Sequence, residues 1–413
     1  MPWAECGCYH FFLWTQRRSS GESVLLTAAH ESQDEVFASA FSVLESAIAA
    51  RSFPAATVAV THAGKLVALR AFGTPIFKED SEGASSSSRS SQQDGNFEFP
   101  ITPTTLFDLA SLTKPIATTT MAMLLYERGL LELEAPISGT LPEFLTSDAR
   151  RRAVTFHMLL THSSGLPAYE RLFLKARTRE ELLQAAFQMP LATDPGTRAE
   201  YSDIGFILLG TALERLAGEA LNTFCPREIF GPLGMSNTKF NPPTELRSAI
   251  PPTADEREAQ GTSGPHSTFR NRIIQGEVQD ENAFVLGGAA AHAGLFANAE
   301  DVARFAHAMI SYNSVVRRET VERFTRRETA PAGTSRALGW DTPSTPSQSG
   351  TQFGLLSYGH LGYTGTSLWI DPDRQLSVTL LTNRTWPDCS NQTIKQVRPR
   401  VHDAIVEALS AVD

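Results

Sequence analysis

Apolar positions along the chain fall into two regimes. Val36 to Arg51 repeats its apolar residues at helical spacing, and "AATVAVTHAGKLVALRAFG" reads as two strands about the turn His62-Ala63-Gly64-Lys65. From Ser111 to about Leu221 the pattern turns helical, with segments predicted at 115–128, 178–188 and 203–217, separated by Pro/Gly punctuation such as Asp194-Pro195-Gly196. Residues 241–282 are rich in Pro, Thr, Asn and Gln and read as a long loop region. Helices resume at about 299–311 and 318–325. "TSLWIDPDRQLSVTLLTNR" then gives two strands joined at Asp371-Pro372-Asp373-Arg374, and 393–411 a closing helix.

Strand pairs at both ends therefore bracket a helical middle. That order predicts an α+β fold, an antiparallel sheet flanked by helices with an all-α lobe, rather than alternating βαβ units. The expected domain is 36–412, its sheet lobe formed by about 36–110 and 290–412 and its helical lobe by about 111–289, after a loosely structured segment 1–35. Residues 79–96, "EDSEGASSSSRSSQQDGN", have no apolar periodicity and read as a flexible Ser-rich surface insertion. A cleft between the lobes is the expected site.

Composition narrows the chemistry. With 36 Lys+Arg against 45 Asp+Glu the net charge is −9, which repels phosphates and argues against nucleic acid as a partner. No run approaches the roughly 18 apolar residues that span a bilayer. In "MPWAECGCYHFFLWTQRRSS" the arginines follow the apolar patch instead of preceding it, so no export signal is read and the expected compartment is the cytoplasm, or the cell envelope if the natural N-terminus is longer. Cys6, Cys8, Cys225 and Cys389 form no disulfide framework. Neither paired Cys-x-x-Cys nor His-Glu-x-x-His occurs, and His157 and His162 are off one helical face, so no metal or other cofactor is expected.

The stretch "DLASLTKPIATTTMAMLLYERG" (108–129) sets Ser111 three places before Lys114 at the mouth of a buried helix, where Pro115 is tolerated only in the first turn. On a helix the Lys114 amine reaches the Ser111 hydroxyl, and burial would lower its pKa and make it a base. The same residues also describe a helix N-terminal serine with a snorkelling lysine, and the spacing alone does not choose. Ser236 and Lys239 repeat it among Gly, Pro and Asn, where the side chains do not meet. In "DPGTRAEYSDIGFILLG", Ser202 or Asp203 is a helix cap, and Tyr201 could present a phenol that shuttles a proton. In "GHLGYTGTSLWIDP", His360-Leu361-Gly362 leads along a strand edge, where Gly362 would let an acyl group approach the backbone.

In this order the three motifs resemble those of the serine β-lactamase and penicillin-binding protein superfamily, in the branch of class C β-lactamases, D-alanyl-D-alanine carboxypeptidases and related esterases. The likeness runs from about 36 to 411 and includes "LLTHSSGLP" (159–167). It implies Ser111 as nucleophile, Lys114 as base, and Tyr201 as the group sharing the proton. It further implies an oxyanion hole from the backbone N–H groups of Ser111 and Tyr363, and a substrate wall including Asp203, His360 and Gly362. Three departures matter. Asp203 stands where many relatives have asparagine, His360 replaces a lysine as it also does in esterase and peptidase relatives, and Leu361 removes a hydroxyl that would hold a substrate carboxylate, which argues against efficient β-lactamase activity. "GEVQDENAFVLGGAAAHAGLF" (276–296) resembles a segment of peptidoglycan-related members, where Asp280, Glu281, Asn282 and His292 either line the cleft or cap the helical lobe.

No Gly-x-Ser-x-Gly pentapeptide supports an α/β-hydrolase. The expectation is a serine hydrolase acting through a Ser111 acyl-enzyme on small esters, amides or peptides, its partner a small-molecule or peptide acyl substrate. The alternatives are a D-alanyl-D-alanine carboxypeptidase or β-lactamase, and a penicillin-binding module that never turns over.

Overall fold

The computed structural model describes residues 26–77, 97–257, 268–312, 315–387 and 389–411, so Cys6, Cys8, most of the N-terminal segment and the Ser-rich insertion lie outside the described residues. At its centre is a six-stranded sheet. Strands Ala55–His62 and Lys65–Gly73 form the first hairpin, Ser367–Asp371 and Leu376–Thr382 the second, and the two join antiparallel through Ala55–His62 and Leu376–Thr382. Tyr358–Leu361 forms one edge. Thr27–Ala28 adds to the other edge in parallel, so the sheet is mixed rather than wholly antiparallel, and the chain already pairs within the segment expected to be loose.

Ala55–His62 is buried along almost its whole length because helices cover both faces. On one face lie Ala38–Ala49, through Ala40, Phe41, Leu44 and Ala47, and the closing helix Ile394–Ser410, through Val397, Val401 and Ile405. Ala299–Ser311 covers the other face with Val302, Ala303, Phe305 and Ala306, part of a core that continues without a break into the helical middle. There Arg179–Phe187 and Asp203–Ala217 fall close to their expected bounds. Three two- and three-residue strands, Phe107–Asp108, Leu295–Ala297 and Lys239–Phe240, form a small second sheet unmarked by any periodicity. The 241–282 region is not all loop, since Ala254–Asp255 pairs with Ile273–Ile274. Among the described residues no helix is long and apolar enough to cross a membrane.

Candidate active site

The small sheet delivers Ser111. After Asp108 the chain reverses through Ala110, which sits at φ 46°, a left-handed conformation costly for a residue with a Cβ. Asp108 holds the bend: one carboxylate oxygen accepts the Ala110 N–H at 2.8 Å and the other the Gln279 N–H at 2.7 Å. Burial pushes the Asp108 pKa up to about 6, so at neutral pH it remains the carboxylate that both donors require. Thr113 adds a second tie, donating to the Ala110 carbonyl at 2.7 Å and accepting the Leu295 N–H at 3.1 Å. Ala110–Leu112 is a 3₁₀ turn, in which side chains three apart stack. Lys114–Thr119 then follows as a π turn before the buried helix Thr120–Glu127.

Stacked in this way, the fully buried Lys114 Nζ donates to Ser111 Oγ at 2.9 Å, to Asp203 Oδ1 at 2.6 Å and to the His292 carbonyl at 3.0 Å. Tyr201 Oη donates to Ser111 Oγ at 2.8 Å. The expectation that burial frees the Lys114 amine is corrected here. Burial does work against its charge, but the adjacent Asp203 carboxylate favours it, and the pKa lies above the ordinary lysine value. Burial also raises the Tyr201 pKa, so the phenol keeps its proton.

The cap and the phenol coexist. Ser202, not Asp203, caps the helix Asp203–Ala217, accepting the Gly205 N–H at 2.9 Å while its hydroxyl donates to the Pro167 carbonyl at 2.7 Å. Its own N–H donates to His162 Nδ1 at 3.0 Å, and the His162 ring packs 4.6 Å from that of Tyr201, so "LLTHSSGLP" supplies the bed beneath the tyrosine. Burial and nearby cations hold His162 neutral. Asp203 can reach Lys114 because Gly210 lets its helix close on the segment that carries His292: a Cβ there would lie 2.2 Å from Ala291 Cβ.

A cleft of about 650 Å³ opens over Ser111, Tyr201 and Asp203, with His360, Leu361, Gly362 and Tyr363 on one wall and Asp280, Glu281 and His292 on another. Asn282 lies beneath, accepting the Phe173 N–H at 3.0 Å, so of the four residues in 276–296 three line the cleft and one holds its floor. Neither the Ser111 nor the Tyr363 N–H is taken by a hydrogen bond among the described residues. The Thr364 and Thr366 hydroxyls tie the Tyr363 loop to the Asp108 and Leu109 carbonyls at 2.7 and 3.0 Å. Gly362 has a packing reason besides access: a Cβ would lie 1.9 Å from Thr366 Oγ1 and 2.6 Å from the Leu109 carbonyl.

His360 provides no positive field. Its Nδ1 lies 2.8 Å from the Leu361 carbonyl, which only accepts, so Nδ1 carries the hydrogen. Burial first, then Lys114 and Arg336, press its pKa down to about 3, and Nε2 is left as a buried bare acceptor with no hydrogen-bond partner among the described residues. Sequence reasoning missed Asp108, the His292 carbonyl and Arg336. An acid between Phe107 and Leu109 was the one available signal; a backbone carbonyl and an arginine remote from every motif gave none. Among the described residues no group of three His, Cys, Asp or Glu could hold a metal ion.

A serine oxygen flanked by a lysine amine and a phenol, beside two open backbone N–H groups, has the equipment for nucleophilic acyl transfer. The Beta-lactamase family model matches residues 41–397, and the chain belongs to that family, as a serine hydrolase. It is 31% identical over 362 residues to the N-acetylmuramyl-L-alanine amidase of Bacillus subtilis (strain 168), covering 81% of this chain and 78% of the relative. To a putative D-alanyl-D-alanine carboxypeptidase of Escherichia coli (strain K12) it is 33% identical over 316 residues, 70% of this chain and 71% of the relative. The solved structure of "EstCE1, a hydrolase with promiscuous acyltransferase activity" superposes with a TM-score of 0.68 at 22% identity, covering 90% of this chain and 99% of that one, and supports the fold.

Proposed function

We propose that the protein hydrolyses small esters, amides or peptides through an acyl-enzyme on Ser111. The observation that carries this reading is the placement of Ser111 Oγ between Lys114 Nζ at 2.9 Å and Tyr201 Oη at 2.8 Å on the floor of the cleft. Ser111 Oγ attacks the substrate carbonyl and its proton enters the Lys114–Tyr201 pair. The carbonyl oxygen, charged in the tetrahedral intermediate, lies against the Ser111 and Tyr363 N–H groups. Tyr201 then delivers the proton to the departing alcohol or amine. In the second half a water adds to the acyl carbon, gives its proton to the same pair, and Ser111 leaves with a proton restored.

In the resting site Ser111, Tyr201 and Lys114 all hold their protons, so attack requires that the coupled pair first lose one. The two relatives are named as an amidase and a putative carboxypeptidase, which supports including amide bonds in the proposed substrate class. Leu361 and the neutral His360 weigh against rapid turnover of penicillins. The test is rapid mixing with p-nitrophenyl acetate. A burst of nitrophenol matching the enzyme concentration in the parent, absent in Ser111→Ala, is expected; an equal burst in both proteins would assign the acyl group elsewhere.

A further inference from the structure

The Gly362–Tyr363 peptide has two ends in different company. Its N–H end, on Tyr363, makes no hydrogen bond among the described residues and borders the cleft. Its carbonyl end, on Gly362, accepts from Arg398 Nη2 at 2.8 Å, and the same nitrogen donates to the Thr366 carbonyl at 2.8 Å. These two residues also close the turn, the Gly362 N–H donating to the Thr366 carbonyl at 2.8 Å. Arg384 Nε donates to the Tyr363 carbonyl at 2.8 Å, which belongs to the next peptide along.

Tying a turn does not require an arginine. Arg398 comes from the closing helix Ile394–Ser410 and is 5% exposed. Among the described residues no carboxylate pairs with it, and its Nε is buried without a hydrogen bond. Burial, then the like charge of Arg384, presses its pKa down to about 9, so at neutral pH it remains a cation. A buried charge with no counter-ion is destabilising, and an apolar side chain of similar volume often suits a core better. Neutral donors can satisfy the carbonyls of this turn, as the Thr382 hydroxyl does for Thr364 at 2.9 Å. What they cannot supply is charge.

That charge has a use one peptide away. On the reading of a Ser111 acyl-enzyme, on which this inference rests, the Tyr363 N–H meets the substrate oxygen that turns negative in the tetrahedral intermediate. A donor on the carbonyl of a peptide polarises the group and makes its N–H a stronger donor, and a charged donor does so more than a neutral one. In a site screened from water the cation also acts on the oxyanion through space. Both effects grow as the carbonyl oxygen gains charge, so they favour the transition state over the bound substrate.

We infer that Arg398 is a positioning residue of the oxyanion hole that acts through the Gly362–Tyr363 peptide, holding the Tyr363 N–H in place and polarising it towards the developing oxyanion. Arg398 transfers no proton and forms no bond to the reacting atoms. Its effect follows the charge on the acyl oxygen, so a neutral ester feels it in full.

The test uses the acetyl-enzyme that accumulates in p-nitrophenyl acetate. Its ester carbonyl stretch falls in frequency as hydrogen bonding to the oxygen strengthens, and isotope-edited infrared difference spectra, with the carbonyl carbon labelled, read that band. Arg398→Gln keeps a donor but no charge, whereas Arg398→Lys keeps the charge. In the glutamine variant the band should rise towards that of ethyl acetate in water. Its burst rate and kcat should each fall about tenfold with KM little changed, a fraction of the roughly 100- to 1,000-fold loss that removing an oxyanion donor outright brings. Arg398→Lys should keep the band near its parent position and the rates within about threefold. Arg398→Met carries the neutral arm, with the same expectations, if the glutamine variant does not fold. A band that stays put in the neutral variant, whether or not the rates fall, would overturn the inference and leave Arg398 a tie of the turn. A band raised as far in the lysine variant as in the neutral one would overturn it too, since charge would then not be what acts. A parent band no lower than that of ethyl acetate in water would also overturn it, while leaving Ser111 as the acylated residue. If the parent formed no acetyl-enzyme, the hydrolase reading and this inference would fall together.

Discussion

A lysine and an aspartate 2.6 Å apart at the base of a cleft form the residue-scale feature that sets this site apart from the lone buried amine expected of Ser-x-x-Lys. Desolvation alone would make Lys114 a ready base; the Asp203 charge reverses that balance. The sign follows directly. A pKa held above the ordinary lysine value keeps the amine protonated through neutral pH, so a reaction that needs one proton removed from the Lys114–Tyr201 pair accelerates as pH rises. Asp203→Asn removes the opposing charge, leaves burial in command, and should move the rising limb of the kcat/KM profile to lower pH by about one unit or more, the size of an adjacent-charge effect. Profiles of both proteins on a neutral ester measure it, and a limb that does not move would show that Asp203 does not govern the pair. That Ser111, Lys114 and Tyr201 meet was legible from the resemblance that their motifs carry as a set, not from the spacing of any one of them. The protonation of the lysine was not, because it depends on a residue 89 positions away brought close by the fold.

At the scale of elements, the helices with long apolar stripes and the two hairpins were legible from periodicity, and Arg179–Phe187, Asp203–Ala217 and Ala299–Ser311 fall close to their expected bounds. The pieces that aim the site were not legible. Two-residue strands have no period, and the bend at Ala110 is imposed by Asp108 and by pairing with Leu295–Ala297 rather than by local preference. The Tyr363 loop is tied in the same manner, by Thr364, Thr366 and Arg398 to backbone carbonyls. Gly362 is the position where this assembly has no slack. In Gly362→Ala the new methyl must displace the Thr366 hydroxyl and the Leu109 carbonyl. Overpacking of this kind costs about 1–3 kcal/mol, and the shift should lower kcat at least about tenfold by moving the Tyr363 N–H from the developing oxyanion. Urea unfolding and steady-state kinetics on the neutral ester test both parts. Normal stability with normal kcat would mean that the loop yields without consequence.

For the whole molecule, a sheet covered by helices on both faces supplies a rigid wall, and the helical middle supplies the opposite one. Ser111 lies where the two meet, on a segment tied to Gln279 through Asp108, to Leu295 through Thr113, and to the Tyr363 loop through the Thr364 and Thr366 hydroxyls. The order of strands and helices made this architecture legible, whereas the parallel addition of Thr27–Ala28 was hidden because two residues carry no signature. The net charge of −9 told against nucleic acid but not what the cleft prefers, because preference lies in the individual groups that line it. The central claim, that this arrangement makes Ser111 the acylated residue, is tested most directly by intact-protein mass spectrometry after exposure to an active-site fluorophosphonate. A single stoichiometric adduct on the parent, absent from Ser111→Ala, is the result predicted. The same adduct on Ser111→Ala, or none on a folded parent that turns over esters, would contradict it.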